Sequence, residues 1–234
     1  MLNNFKLVDL THSLSPDIPT WEGSCGFCSE VKKDYDEMFR VENYTMVAGI
    51  GTHMDAPAHL IPKGLPIAEI PLEQLFVSAF VLDVSKQAHP DYLVTAKDII
   101  QFEKDHGRIA VNSLFIAYTG WSRRWPGVEY RNADESGKLH FPAYSAEAAE
   151  CLLERHISGI GIDTLSPDCS DSSYPVHHLI LGAGKYILEN LTNLHLIPPA
   201  GAYVIALPMK IAGGPESAVR AVGLINIAEV DEVD

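Results

Sequence analysis

Residues 145–162, SAEAAECLLERHISGIGI, carry the two periodicities that decide the fold. Ser145 can cap a helix over Ala146–His156, in which Ala149, Leu152 and Leu153 recur at helical spacing. A few residues on, Gly159–Ile162 is a short apolar run closed by Asp163, the pattern of a buried strand. The same succession occurs upstream: Thr95 precedes a helical pattern over Ala96–His106, and Leu114–Tyr118 is the next apolar run. Ala79–Val84, Tyr203–Leu207 and Val219–Ile227 add strands, and Leu179–Leu191, loosened by Gly182 and Gly184, adds a third helical pattern. Strands interleaved with helices predict an α/β fold. Arg123–Lys138, polar and carrying Pro126 and Gly137, reads as a long surface loop. With no repeat and no linker-like stretch, residues 1–234 read as a single domain.

The 234 residues are 47% hydrophobic and hold 17 Lys+Arg against 31 Asp+Glu, a formal net charge of −14. The apolar fraction excludes an intrinsically disordered chain. The acidic balance argues against nucleic acid or an anionic membrane as partner, since both require a basic footprint. Leu196–Met209 is too short to span a bilayer and is interrupted by prolines, and MLNNFKLVDLTHSLS has no signal-peptide apolar core. A cytoplasmic protein with a small-molecule partner is expected. Cys25, Cys28, Cys151 and Cys169 are then free thiols. Cys25-Gly-Phe-Cys28 lacks both the following helix of a redox site and the second pair of a structural zinc site. Following Trp21 closely, the two thiols are expected on a loop over the site.

The chemistry concentrates in GIGTHMDAPAH, residues 49–59. His53 and Asp55 are two apart, so an extended chain points both to one side, where they can share a cation. Gly51 permits an unusual backbone approach before the pair, and Pro57 re-aims the chain before His59. Hydrogen bonding within the pair would also satisfy it. A second cluster lies in YPVHHLILGAGKYILENL, residues 174–191. On one straight helix His177 and Glu189 would stand about 120° apart. They reach one ion only if His177 precedes the helix or the glycines break it. His178 is expected to face away from His177. Thr11 and Ser13 give His12 a structural turn, and Gly213–Gly214 reads as a tight turn.

GTHMDAPAH resembles the signature H-x-G-T-H-x-D-x-P-x-H of the cyclase family of metal-dependent hydrolases, which includes bacterial kynurenine formamidase and isatin hydrolase. Gly51, Thr52, His53, Asp55, Pro57 and His59 match; the first His is Gly49. The likeness extends to VDLTHSLSPDIPTWEG (8–23), YTGW (118–121), GIGIDTLSPD (159–168), PVHHLILGAGKYILENL (175–191) and LPMKIAGGPESAVRAV (207–222). It implies a swivelling β/β/α fold, mixed sheets with flanking helices, and a homo-oligomer. It implies His53, Asp55, His177 and Glu189 as metal ligands, His59 as the catalytic acid–base, and Trp21 as a substrate contact. The cofactor it implies is one or two divalent ions, Zn²⁺ or Mn²⁺, with Gly49 unable to contribute a ligand.

The activity so implied is hydrolysis of a C–N bond in a small amide, formamide or lactam, with an aromatic or cyclic group against Trp21 and a second candidate surface at Trp121. The alternative is a catalytically silent member that binds a metal or small molecule. The presence of His59 favours the enzyme.

Overall fold

Leu114–Tyr118 is buried at every position, as is Gly159–Ile162. Strands covered on both faces belong at the centre of a sheet walled by helices. The computed structural model describes residues 4–169 and 173–227 and places them there. In chain order the strands are β1 (Phe5–Asp9), β2 (Phe27–Lys33), β3 (Val41–Met46), β4 (His53–Asp55), β5 (Phe76–Asp83), β6 (Leu93–Val94), β7 (Leu114–Tyr118), β8 (Ala143–Tyr144), β9 (Gly159–Ile162), β10 (Tyr186–Glu189), β11 (Ala202–Pro208) and β12 (Glu216–Asn226). The helices are α1 (Leu72–Leu75), α2 (Ala96–His106), α3 (Val128–Arg131), α4 (Ala146–Leu153) and α5 (Pro175–Gly182).

The main sheet runs β1-β12-β11-β5-β7-β9-β10-β4. β5, β7, β9 and β10 are parallel, and α2, α4 and α5 lie on the connections between them. β12 is long enough to serve two neighbours: Val219–Ile225 pairs with β11, while its first residues, Glu216–Ala218, pair with β4. That second pairing closes a ring of seven strands, with β1 outside it on β12. Alternate side chains point inward, among them Met54, Val81, Ile116, Leu188 and Val204, and fill the ring. The opposite face, with Phe80, Phe115, Ile160 and Ile187, packs under α2, α4 and α5. This is the expected α/β architecture with a mixed sheet, curled into a barrel.

α2, β7 and β9 have the expected bounds, and Thr95 and Asp98 form a reciprocal capping box on α2. Two expectations are corrected. The pattern over Leu179–Leu191 is no single helix: α5 stops at Gly182, Gly184 takes a left-handed φ of 74°, and β10 follows. Periodicity cannot distinguish a short apolar strand buried on both faces from a helical segment. Arg123–Lys138 is no loop throughout, because Tyr130 on α3 is fully buried and Trp125 packs against the same cluster. Only its tip, Ala133–Lys138, is exposed at every residue. The hairpin β2–β3 is largely exposed and so lacks the apolar run that marks a strand. Among the described residues no helix is long and apolar enough to cross a membrane.

Candidate metal centre

β4 lies between β10 and β12, and register places the side chains. Glu189 stands opposite His53, and Glu216 opposite Asp55. Paired residues share a face and alternate with their neighbours. His53, Asp55, Glu189 and Glu216 therefore project outward while Met54 and Leu188 enter the barrel core. The period-2 reading of His53 and Asp55 thus finds its strand.

Each imidazole is oriented by its second nitrogen. Gly51, at φ 59°, turns its carbonyl to accept from His53 Nδ1 at 2.8 Å and from Asn190 Nδ2 at 2.8 Å. A carbonyl only accepts, so Nδ1 carries a proton and Nε2 is the nitrogen left to bind an ion. His177 sits in the first turn of α5, where Asp168 accepts from the backbone N–H groups of Val176 (3.0 Å) and His177 (2.9 Å) and from His177 Nδ1 (2.8 Å). One carboxylate thus satisfies the helix start and aims the ring, as outer partners of ligating histidines do.

The two Nε2 atoms meet the same carboxylates. His53 Nε2 is 3.4 Å from Asp55 Oδ1 and 3.3 Å from Glu189 Oε2; His177 Nε2 is 3.5 Å from Asp55 Oδ2 and from Glu189 Oε1. These gaps are long for charge-assisted hydrogen bonds. They equal the edge of a tetrahedron with arms of about 2.1 Å, the length of a zinc–nitrogen or zinc–oxygen bond. Asp55 Oδ1 is buried and has no hydrogen-bond partner among the described residues, an arrangement costly without a cation. The donor set fits a divalent ion. Without one, burial opposes protonation of His53 and His177, yet the surrounding carboxylates outweigh it and hold both imidazoles well above their ordinary pKa. Burial likewise opposes the Asp55 anion, but His53 and His177 keep it well below the usual carboxylate range. Burial and then the Asp55 charge push the Glu216 carboxyl up.

His59 lies on a 3-10 turn, Pro57–His59, at the mouth of the same cavity of about 370 Å³. Its ring centroid is 5.9 Å from that of His177, and Nδ1 is 3.7 Å from Glu216 Oε1. Trp21 lines the cavity, with Tyr174 6.1 Å away centroid to centroid, and Leu60 and Leu165 complete an apolar wall. His53, Asp55, His59, His177, Glu189 and Trp21 are all in the lining of this one cavity. Trp121 is not: it is buried behind the cavity, its indole N–H bonded to the Tyr130 carbonyl at 2.7 Å. His178 is exposed, as expected. Cys25 and Cys28 are exposed free thiols with sulfurs 3.6 Å apart, and the strand β2, not a helix, follows Cys25. Glu216, Asp168 and Tyr174 have no local sequence signal; Asp168 stands inside the matched stretch GIGIDTLSPD without a spacing that marks it.

His12 is structural, though not through a turn of its own. Its ring stacks on Trp125 at 4.1 Å and 10°, and its backbone N–H bonds Thr52 Oγ1 at 2.9 Å. Burial, partly opposed by Asp9, lowers its pKa from 6.5 to about 4. The unfolded chain then binds more protons than the folded one between those values, so stability falls as pH drops through 6.5 towards 4. Replacing His12 with Phe keeps the stack and removes the titration. Urea midpoints measured from pH 7 to about 4 are expected to fall less steeply for H12F than for wild type; parallel curves would refute this account.

A barrel whose outer wall carries an imidazole–carboxylate cluster defines a class, and the comparisons with known proteins give it a name. A model of the Cyclase family, described as "Putative cyclase", matches residues 8–169. Isatin hydrolase of Roseibium aggregatum is 33% identical, covering 94% of this chain and 92% of its own. Kynurenine formamidase of Salinibacter ruber is 30% identical over 92% of this chain and 96% of its own. Among solved structures, isatin hydrolase A from Labrenzia aggregata bound to benzyl benzoate superposes with a TM-score of 0.89 at 35% identity, covering 96% of this chain and 95% of that one. The chain belongs to the cyclase family of metal-dependent hydrolases.

Proposed function

We propose that the protein hydrolyses a C–N bond of a small aromatic or cyclic amide, formamide or lactam. The observation that carries this reading is the buried Asp55 carboxylate, its Oδ1 without a hydrogen-bond partner among the described residues, set between two imidazoles whose Nε2 atoms are aimed by Gly51 and Asp168. His53, Asp55, His177 and Glu189 would hold one or two ions, Zn²⁺ or Mn²⁺, with Asp55 and Glu189 each facing both imidazoles. Such an ion supplies Lewis acidity, polarising a carbonyl and making water more acidic.

His59 is the mobile-proton residue of this reading. With Nδ1 turned towards Glu216, Nε2 is free to take a proton from the attacking water and return it to the leaving nitrogen as the C–O bond forms and the C–N bond breaks. Trp21 and Tyr174 offer flat surface to an aromatic ring beside the centre. The relatives named for isatin and kynurenine chemistry support an aromatic substrate with nitrogen on the ring.

Elemental analysis of untagged protein, followed by assays on isatin-type lactams and N-formyl anilines, tests the reading. One or two ions per chain and turnover of one substrate class are the expected results. Protein that holds no metal after incubation with Zn²⁺ or Mn²⁺ would overturn it.

The same reading takes residues 1–234 as one swivelling β/β/α domain, supported by the pairing of β1 with β12 and by strands inside and helices outside. It takes the chain as a homo-oligomer, supported by apolar side chains such as Phe39 and Tyr44 exposed on and beside the β2–β3 hairpin. It takes the chain as cytoplasmic, supported by Cys25, Cys28 and Cys151, none of which is in a disulfide.

A further inference from the structure

Gly49 leaves a space beside the centre, and a carboxylate from another strand stands in it. A Cβ placed on Gly49 would lie 3.2 Å from His53 Nε2 and would collide with the carboxylate of Glu216. Position 49 thus faces His53 Nε2, and the severest obstacle to a side chain there is the carboxylate of Glu216. The strand pairing that closes the barrel brings Glu216 to this point. Its backbone is fixed on both sides, by the Ala56 N–H to the Pro215 carbonyl at 2.9 Å and by the Val219 N–H to the Thr52 carbonyl at 3.0 Å. A carboxylate oxygen of Glu216, the imidazole of His53 and a carboxylate oxygen of Asp55 offer donor atoms all within 4.8 Å of one another. Asp55 also belongs to a second such group with His59 and His177. The Glu216 side chain is about four-fifths buried (21% exposed), against two other carboxylates of the same charge. A bound cation would relieve that crowding while leaving all three carboxylates ionised.

We propose that Glu216 is a metal ligand, supplying from β12 the donor that Gly49 cannot supply from the loop before β4. The proposal rests on the reading of His53 and Asp55 as metal ligands. It gives the His53 side of the centre one imidazole and three carboxylates, Asp55, Glu189 and Glu216. Carboxylate oxygens suit Mn²⁺, and imidazole nitrogens suit Zn²⁺. The exchange of an imidazole for Glu216 therefore narrows the advantage Zn²⁺ would otherwise have over Mn²⁺ at this position. It also makes residues 49 and 216 mutually exclusive in space: a large side chain at one requires a small one at the other.

The test is metal binding to chelator-stripped protein, read by calorimetry and elemental analysis with Mn²⁺ and Zn²⁺ separately, for wild type, D55N, E216Q, E216A and the double variant G49H/E216A. E216Q keeps size and loses charge. It is expected to bind Mn²⁺ about tenfold or more weakly, with a smaller loss for Zn²⁺ and an unchanged circular dichroism spectrum. G49H/E216A is expected to recover Zn²⁺ binding relative to E216A. If E216Q binds both ions as wild type does while D55N binds neither, Glu216 is no ligand and the metal reading stands without it. If wild type itself binds neither ion, both proposals fall together. Should E216Q fold poorly, the E216A and G49H/E216A pair still decides: no gain from the introduced histidine would overturn the proposal.

Discussion

Replacing Asp55 with Asn is expected to leave a folded chain that no longer holds metal. Asn keeps the shape of the side chain, so the pairing of β4 with β10 and β12, which is made by backbone groups, survives. What it removes is the charge that both imidazoles face, His53 from Oδ1 and His177 from Oδ2. No other residue on β4 can replace it, because Met54 points into the barrel. An amide oxygen is a weak donor to a dication, and the NH₂ that replaces the other oxygen cannot bind one at all. Loss of a ligand should weaken binding at least as much as loss of an outer partner, which costs 10–100-fold, so about 100-fold is the expected size. The readout need not be turnover. A metal that binds only the folded chain raises its stability by about 2.7 kcal/mol at 100 times Kd. Wild type should therefore melt higher with added Zn²⁺ or Mn²⁺, and D55N, binding about 100-fold more weakly, should gain only about 0.4 kcal/mol at the same concentration. D55N holding metal at wild-type stoichiometry would remove Asp55 from the centre.

How much of this site is legible in the chain depends on how each residue reaches it. His53 and Asp55 are read correctly because their geometry is local: two residues apart on an extended segment is a statement about one strand. His177 and Glu189 do come together, but not on the single helical pattern expected for them. The break at Gly184 turns one apparent helix into a helix and a strand, and that break lets the two side chains meet. Asp168 and Glu216 are illegible for the opposite reason. Asp168 acts on the start of α5, eight and nine residues further on, and Glu216 arrives by a strand pairing between distant parts of the chain, which no local window contains. The fold divides likewise. β7 and β9, buried on both faces, are strong apolar runs, whereas β2 and β3 spend their side chains on solvent. Tyr130 shows the same limit, since its polar neighbours hide the one ring that reaches Asn190 Oδ1, 2.8 Å away.

Replacing His59 with Ala is expected to keep the metal and lose turnover. The 3-10 turn that carries His59 follows β4 but is held by its own bonds, the His59 N–H to the Ala56 carbonyl at 2.8 Å and the Ala58 N–H to the Leu65 carbonyl at 3.1 Å. Truncation at Cβ therefore leaves His53 and Asp55 where they are. The side chain is about one-third exposed, at the cavity mouth, where water and substrate both reach it. A proton shuttle in that position contributes about 10²–10⁴ in rate, so kcat should fall by that factor while KM changes little. Added imidazole should restore part of the activity, because the truncation leaves a space of the right size beside the centre. Geometry offers one competing role, since His59, Asp55 and His177 present donor atoms within 4.8 Å of one another and could share an ion. The metal content of H59A separates the two. A shuttle leaves stoichiometry and affinity unchanged, whereas a ligand takes an ion away with it, and full activity in H59A would deny both roles. The exposure of His59 beside the near-complete burial of His53, Asp55, His177 and Glu189 favours the shuttle, because a group that must exchange protons with solvent needs access that a ligand does not.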